Sequence, residues 1–256
     1  MPQLTAITRF PVKGFGPERL EQVELTIGQT LPHDRTWAIE NGPGDFDPAH
    51  PAHVKKKHFL MLARQAGLAL LSSRFEADGQ AFAVRFPDGT EITTALGDAA
   101  SHAPLFARLE ALLGEQVRGA LRFAHIPGQA LTDIPHPHVS LINAASLRDL
   151  GARTGHVIDP VRFRGNLLID GLEPWAELDW VGRDVLIDGV RLHGQSRIRR
   201  CAATSVNPAT AQSDIDLPAA LMAQFGHADC GIYMSVEAGG GIAVGDAVET
   251  PSHAHT

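Results

Sequence analysis

Apolar and polar residues alternate in short runs through the first part of the chain, and each run is closed by Gly, Pro or Asp. Leu4 to Phe10, Leu20 to Ile27, Thr36 to Glu40, Ala81 to Phe86 and Glu91 to Thr94 are of this kind. Runs of that length between turn formers predict strands of an antiparallel barrel or sandwich rather than alternating βα units. Between them, residues 41–53 (NGPGDFDPAHPAH) are rich in Pro, Gly and Asp and predict a long exposed loop. The pattern then lengthens. Pro104 to Leu113 predicts a helix, with Pro in its first turn and Gly114 at its end. Asn143 is placed to cap a helix through Ala144–Arg153, in which Leu147 and Leu150 share a face. Asp188-Gly189, between two apolar triplets, predicts a hairpin. Asp216 caps a further helix over Pro218–Gln224 that stops near Gly226. Strands resume at Ile232–Val236 and end around Val248, with Gly239, Gly240 and Gly241 as a turn.

The chain therefore reads as mainly β with a few helices. A turn-rich stretch at Pro127–His138 and the helix before it put a boundary near residues 100–130. The organisation expected is an N-terminal β-barrel over 1–100, a second β domain over 101–250, and a tail, 251–256. No internal repeat or low-complexity tract interrupts it.

Composition narrows the function classes. A length of 256 residues suits one large core or two modest domains. No stretch approaches the ~20 consecutive apolar residues of a membrane helix. The opening Met-Pro-Gln-Leu-Thr lacks the basic and apolar regions of a secretory signal. With only two cysteines, Cys201 and Cys230, a disulfide framework is not expected, and the cytoplasm is the default location. The longest basic cluster is Lys55-Lys56-Lys57; with a net charge of −7, no nucleic-acid footprint is expected.

Chemistry concentrates in the second half. Cys201 follows Arg197-Ile198-Arg199-Arg200 at the end of an apparent strand. Cations beside a thiol favour the thiolate, which is both nucleophile and soft-metal ligand. The alternative is a small buried hydrophobe within a strand Cys201–Val206. Arg162 and Arg164, at i and i+2 before the apolar strand Leu167–Ile169, would share one side of an extended segment. Two guanidinium forks there suit a phosphate; salt bridges to Glu173 or Asp159 are the other outcome. Lys13 and Arg35 add basic groups at strand ends. The 13 histidines show no zinc spacing, and His136 and His138 are expected to be structural or solvated. Cys230 is expected to be structural. No phosphate-cradling Gly-rich loop and no Gly-x-Ser-x-Gly elbow occur.

Taken in order, Ile7-Thr8-Arg9-Phe10-Pro11-Val12-Lys13-Gly14, Asp34-Arg35-Thr36-Trp37, Phe59-Leu60 with Ala63-Arg64-Gln65, Leu141 to Leu147, Asp159 to Asn166, Glu173-Pro174-Trp175 with Asp179-Trp180, and Arg200-Cys201 with Asn207-Pro208 resemble the MOSC family. This family is named for the C-terminal domain of molybdenum-cofactor sulfurase, and the likeness is to its two-part members, which carry an N-terminal β-barrel domain before the MOSC domain. The resemblance implies a molybdenum cofactor (molybdopterin), with the Cys201 thiolate on the metal. It implies that Lys13, Arg35, Arg162, Arg164, Asn166 and Arg200 hold the pterin and its phosphate. It also implies an oxidoreductase that reduces N-hydroxylated small molecules with electrons from a separate electron-transfer protein, because this chain has no flavin or iron–sulfur motif. Two alternatives accompany it: a sulfur-carrier or cofactor-delivery protein using a Cys201 persulfide, and a degenerate binding module. The sequence departs from the family at Ile198, where relatives often have Cys, at Gly14, where Ser is frequent, and at Gly165, where Pro is frequent.

Overall fold

The computed structural model describes residues 1–42, 58–76, 79–126, 128, 130–132, 134 and 136–251. Its strands are β1 (Gln3–Arg9), β2 (Glu18–Leu20), β3 (Gln22–Leu25), β4 (Trp37–Asn41), β5 (Ser72–Glu76), β6 (Ala81–Arg85), β7 (Glu91–Ala95) and β8 (Leu121–His125) in the first half. The second half adds β9 (Val139–Asn143), β10 (Leu167–Asp170), β11 (Asp184–Ile187), β12 (Val190–Arg199), β13 (Asp229–Ala238), β14 (Gly240–Ala243) and β15 (Val248–Glu249). Helices among the described residues are α1 (Ala103–Leu113), α2 (Ala144–Thr154) and α3 (Leu217–Phe225), with several short 3₁₀ turns. The mainly β architecture expected from the sequence is what the chain adopts. No helix among the described residues is long and apolar enough to cross a membrane.

Eight strands form one sheet in the order β15-β11-β12-β13-β9-β10-β1-β2. All five residues of β9 are buried, as befits a strand with partners on both edges and packing on both faces. Successive side chains of a strand point to opposite faces. Val139 and Leu141 accordingly enter the main core with Leu167, Leu192, Ile232 and Met234. Ile142 enters a second core on the other face, beneath α2 and α3, with Leu147, Leu150, Phe163, Leu217, Leu221 and Cys230. Strand β10 lies parallel to β9, and α2 lies between them in sequence.

The chain's first strand completes this sheet. β1 pairs antiparallel with β10, Gln3 opposite Asp170 and Ile7 opposite Leu167. Leu4, Ile7 and Leu25 are buried in the main core. A separate core forms around Phe15, Phe82, Val84, Leu105 and Leu109, where the β5-β6-β7 meander meets α1. The segment between Ile7, in the main core, and Phe15, in the core of the meander and α1, carries Lys13.

Local chemistry accounts for the element ends. The Asn143 side chain accepts from the Ala145 N–H at the start of α2, and Asp216 does the same for Ala219 in α3. Gly114 and Gly226 end α1 and α3 with positive φ. Asp188 and Gly189 both take positive φ between β11 and β12, the two-residue turn that matches strand twist. Two expectations change. Leu20 to Ile27 is not one strand: the chain breaks at Glu21, β2 staying on β1 while β3 pairs with β14. The Gly239–Gly241 turn contracts, because β14 already starts at Gly240. A β-carbon on Gly239 would lie 2.5 Å from the Leu25 carbonyl oxygen, so glycine permits this close strand approach. Of the expected loop 41–53, Asn41 ends β4 and is buried with Gly42; residues 43–53 and Lys55-Lys56-Lys57 lie outside the described residues.

Candidate functional site

A cavity of about 150 Å³ opens where the end of β12 meets segments from the first half of the chain. Lys13, Arg35, Arg162, Arg164, Arg199, Arg200 and Cys201 all line it. Met61, Leu62, Ala63 and Ile198 contribute an apolar part, and Ser140, His138, Thr204 and Tyr233 a neutral polar part. Among the described lining residues there is no carboxylate.

Cys201 reaches the cavity because β12 ends just before it. The last pair of the β12–β13 ladder joins Arg199 to Asp229, and the Arg200 N–H then donates to the Ala228 carbonyl at 2.8 Å. From there the chain turns into a 3₁₀ helix over Ala202–Ser205, with Cys201 as its N-cap residue. The strand Cys201–Val206 does not form, and Cys201 is exposed, which removes the reading of it as a buried hydrophobe. Cys230 is the buried cysteine, and burial pushes its thiol up to about 12.

Arg200 is held rigidly beside it. Its Nε donates to the Cys230 carbonyl at 2.8 Å, its Nη2 donates to the same oxygen, and its Nη1 donates to the Phe163 carbonyl at 2.8 Å. The guanidinium lies 5.1 Å from the Phe163 ring centroid. Burial draws its pKa below the usual arginine value.

Arg162 and Arg164 converge on the cavity by a different geometry from the one expected. They do not share a strand face. Arg162 lies in the 3₁₀ turn Pro160–Phe163, and Arg164 follows it in the left-handed region with φ of 52°. Nor do they bridge to Glu173 or Asp159; Asp159 instead caps the turn by accepting from the Val161 N–H at 2.9 Å. Arg162 is 5% exposed, with Nη2 on Asp214 at 2.8 Å and Nη1 on the Ser205 carbonyl at 3.2 Å. Its Nε is buried with no hydrogen-bond partner. That hydrogen bond from Arg162 holds the Asp214 carboxyl down at about 2.

Arg164 donates from Nη1 to the Phe15 carbonyl at 2.7 Å, and its guanidinium lies 4.1 Å from the Phe10 ring centroid. Arg35 shares that ring at 5.0 Å, donates to the Arg164 carbonyl at 2.8 Å, and pairs with the buried Asp34. Lys13 Nζ donates to the Leu131 carbonyl at 2.8 Å. Five of the six cofactor-holding residues expected from the sequence thus meet in one cavity with Cys201.

Asn166 does not. Its side chain is turned into the sheet, where Oδ1 accepts from Ser140 N at 3.0 Å and Oγ at 2.7 Å and Nδ2 donates to the Thr8 carbonyl at 3.2 Å. It is 1% exposed and ties β9 to β1; Ser140 is the member of this cluster that lines the cavity. Ser140 carried a signal, as the one hydroxyl within the apolar run Val139–Ile142, and its meaning depended on which face it took. His138, expected to be structural or solvated, also lines the cavity, its ring centroid 4.2 Å from that of Tyr233.

The donor set fits an anionic, metal-bearing ligand. Fixed cations converging on one cavity suit phosphate and other oxyanions, and one accessible thiol suits a soft metal. Family models match both halves of the chain. The MOSC domain model matches residues 129–249, and the model of the MOSC N-terminal beta barrel domain matches residues 1–110. This chain belongs to the MOSC family.

Among its relatives, this MOSC protein is 32% identical over 120 residues to mitochondrial amidoxime-reducing component 1 of Mus musculus, covering 42% of this chain and 35% of that protein. It is 30% identical over 122 residues to mitochondrial amidoxime reducing component 2 of Rattus norvegicus, covering 43% and 36%. The matched stretch thus spans about a third of the length of either relative. Among solved structures, it aligns with the YUAD protein from Bacillus subtilis at a TM-score of 0.44 and 14% identity, over 97% of this chain and 94% of that one. It aligns with YiiM from Geobacillus stearothermophilus at a TM-score of 0.34 and 20% identity, over 43% and 52%.

Proposed function

We propose that this MOSC protein binds a molybdenum cofactor in the cavity beside Cys201 and reduces N-hydroxylated small molecules with electrons from a separate protein. The observation that carries the reading is the convergence of Lys13, Arg35, Arg162, Arg164 and Arg200 with an exposed thiol around a cavity free of described carboxylates. The amidoxime-reducing relatives support the substrate class.

When bound, the cofactor supplies two-electron exchange, which no side chain in the cavity provides. The chain's own residues do the rest. Cys201 offers its sulfur to the metal. Arg162 and Arg164 offer guanidinium donors to the phosphate, while Lys13, Arg35 and Arg200 balance the remaining negative charge. Met61, Leu62 and Ile198 form an apolar wall that limits water near the reacting centre. The overall change breaks the substrate N–O bond, consumes two electrons and two protons, and releases water. The electrons are proposed to come from a separate electron-transfer protein.

The test is reduction of benzamidoxime by protein made in a cell that synthesises molybdenum cofactor, with a reduced viologen dye as electron source. Amidine formation that disappears in Cys201→Ala is the expected result. Metal-loaded protein that leaves benzamidoxime unchanged, or transfer of labelled sulfur from a cysteine desulfurase onto Cys201, would move the assignment to sulfur carriage.

A further inference from the structure

The guanidinium of Arg162 is placed by a segment of chain that the cofactor reading does not otherwise use. After the Ala202–Ser205 turn, the chain folds back on itself: Val206 bridges Ser213, Asn207 N donates to the Gln212 carbonyl at 2.8 Å, and Ala211 N donates to the Asn207 carbonyl at 2.9 Å. The Asn207 side chain fixes the tip, its Oδ1 accepting from Ala209 N at 2.9 Å. This small loop delivers Asp214 to Arg162. Both the Nη2 of Arg162, at 2.8 Å, and the Nδ2 of Asn207, at 2.6 Å, donate to the same carboxylate oxygen, Oδ2. With Nη1 on the Ser205 carbonyl at 3.2 Å, two edges of the planar guanidinium are fixed, and the remaining donor, Nε, is the buried one without a partner.

We infer that Asp214 is a positioning residue: through the Asn207–Asp214 pair, the 206–214 loop orients the guanidinium of Arg162, a residue of the cavity lining, for an anionic ligand. This rests on the reading of the cavity as an anion site and adds to it a residue outside the cavity lining. The opposite expectation comes from charge alone. A carboxylate beside Arg162 cancels part of its field, so if Asp214 were only a neighbouring charge, removing it would tighten anion binding. Positioning and charge therefore predict changes of opposite sign.

Because both donors meet one oxygen, Asp214→Asn can keep both hydrogen bonds through its amide oxygen while losing the charge, whereas Asp214→Ala loses both. The probe is inorganic phosphate, titrated into purified cofactor-free protein and followed by phosphorus NMR, with circular dichroism confirming that each variant is folded. Asp214→Ala should bind phosphate about tenfold more weakly, the factor set by one charge-assisted hydrogen bond's worth of lost orientation. Asp214→Asn should bind at least as well as the parent. Parent-like or tighter binding by Asp214→Ala would overturn the positioning role. Loss of binding in Asp214→Asn equal to that in Asp214→Ala would overturn it too, since the two hydrogen bonds that Asp214→Asn keeps would then not be what holds the site. A parent protein that binds no phosphate would overturn the anion reading of the cavity, and the role of Asp214 with it.

Discussion

At the scale of single residues, the two cysteines separate cleanly. Cys201 stands exposed at the cavity and Cys230 lies buried under α2 and α3. In cofactor-free protein a thiol reagent should label Cys201 and leave Cys230 unmodified until denaturant is added; mass spectrometry of the labelled peptides checks this. Cys230 has a second consequence. Its folded pKa, about 12, is raised above its ordinary value of 9.0 because burial disfavours the thiolate. A raised folded pKa means that the contribution to stability is intact below about 9 and is lost as pH rises toward about 12. Denaturant midpoints measured across that alkaline window should fall for the parent, and fall less steeply for Cys230→Ala. Arg164→Lys keeps the charge but removes the planar fork, so retention of the cofactor through gel filtration should decrease; unchanged occupancy would take Arg164 out of the site. What the sequence showed at this scale was chemistry rather than direction. Cys201 and Arg200 were legible because a cationic run ends on a thiol. Asn166 was not, because which way its amide points is decided by Ser140 on a neighbouring strand. Arg162 and Arg164 reach one cavity through a left-handed residue that spacing alone does not reveal.

At the scale of elements, the segment Leu141–Leu147 is where a strand, a helix and a 3₁₀ turn are locked together. The Glu177 carboxylate, fully buried, accepts from Ser146 Oγ at 2.9 Å and from Asn143 Nδ2 at 3.1 Å, and also from the Gly231 backbone N–H. Burial pushes its pKa up, while these donors pull the other way. Gly231 adjoins Cys230, whose carbonyl holds Arg200, so this node supports the cavity from behind. Glu177→Ala leaves several buried donors unmatched and should cost on the order of 3 kcal/mol in a denaturation measurement, well beyond a surface change. Replacing the α3 cap, Asp216→Ala, should cost about 1 kcal/mol. Elements with local signals were the legible ones: the Asp188-Gly189 turn, the Asn143 and Asp216 caps and the Gly114 stop form as the sequence indicates. The break at Glu21 was hidden, because both halves of Leu20–Ile27 are strand-like. What divides them is a choice of partners, β1 for one half and β14 for the other.

At the scale of the whole molecule, the first strand belongs to the sheet built by the second half. Without β1, the edge of β10 and the core face shared by Leu4, Ile7, Leu167 and Ile169 would be exposed. A fragment beginning at residue 101 should therefore be insoluble or molten, and adding residues 1–25 as a separate peptide should restore cooperative unfolding. The cavity has the same composite origin, since Lys13 and Arg35 come from the first half and Arg162, Arg164, Arg200 and Cys201 from the second. Strand pairing across separations such as that of Ile7 from Leu167 leaves no local mark, which is why the sequence pattern alone showed strands without showing which of them meet. The central claim is that this shared cavity holds a molybdenum cofactor through Cys201. The most direct measurement is molybdenum per chain, by mass spectrometry of the metal, in parent and Cys201→Ala proteins purified from a cell that makes the cofactor. Near-stoichiometric molybdenum in the parent and little or none in Cys201→Ala is the predicted result, whereas equal molybdenum in both, or none in either, would contradict the account.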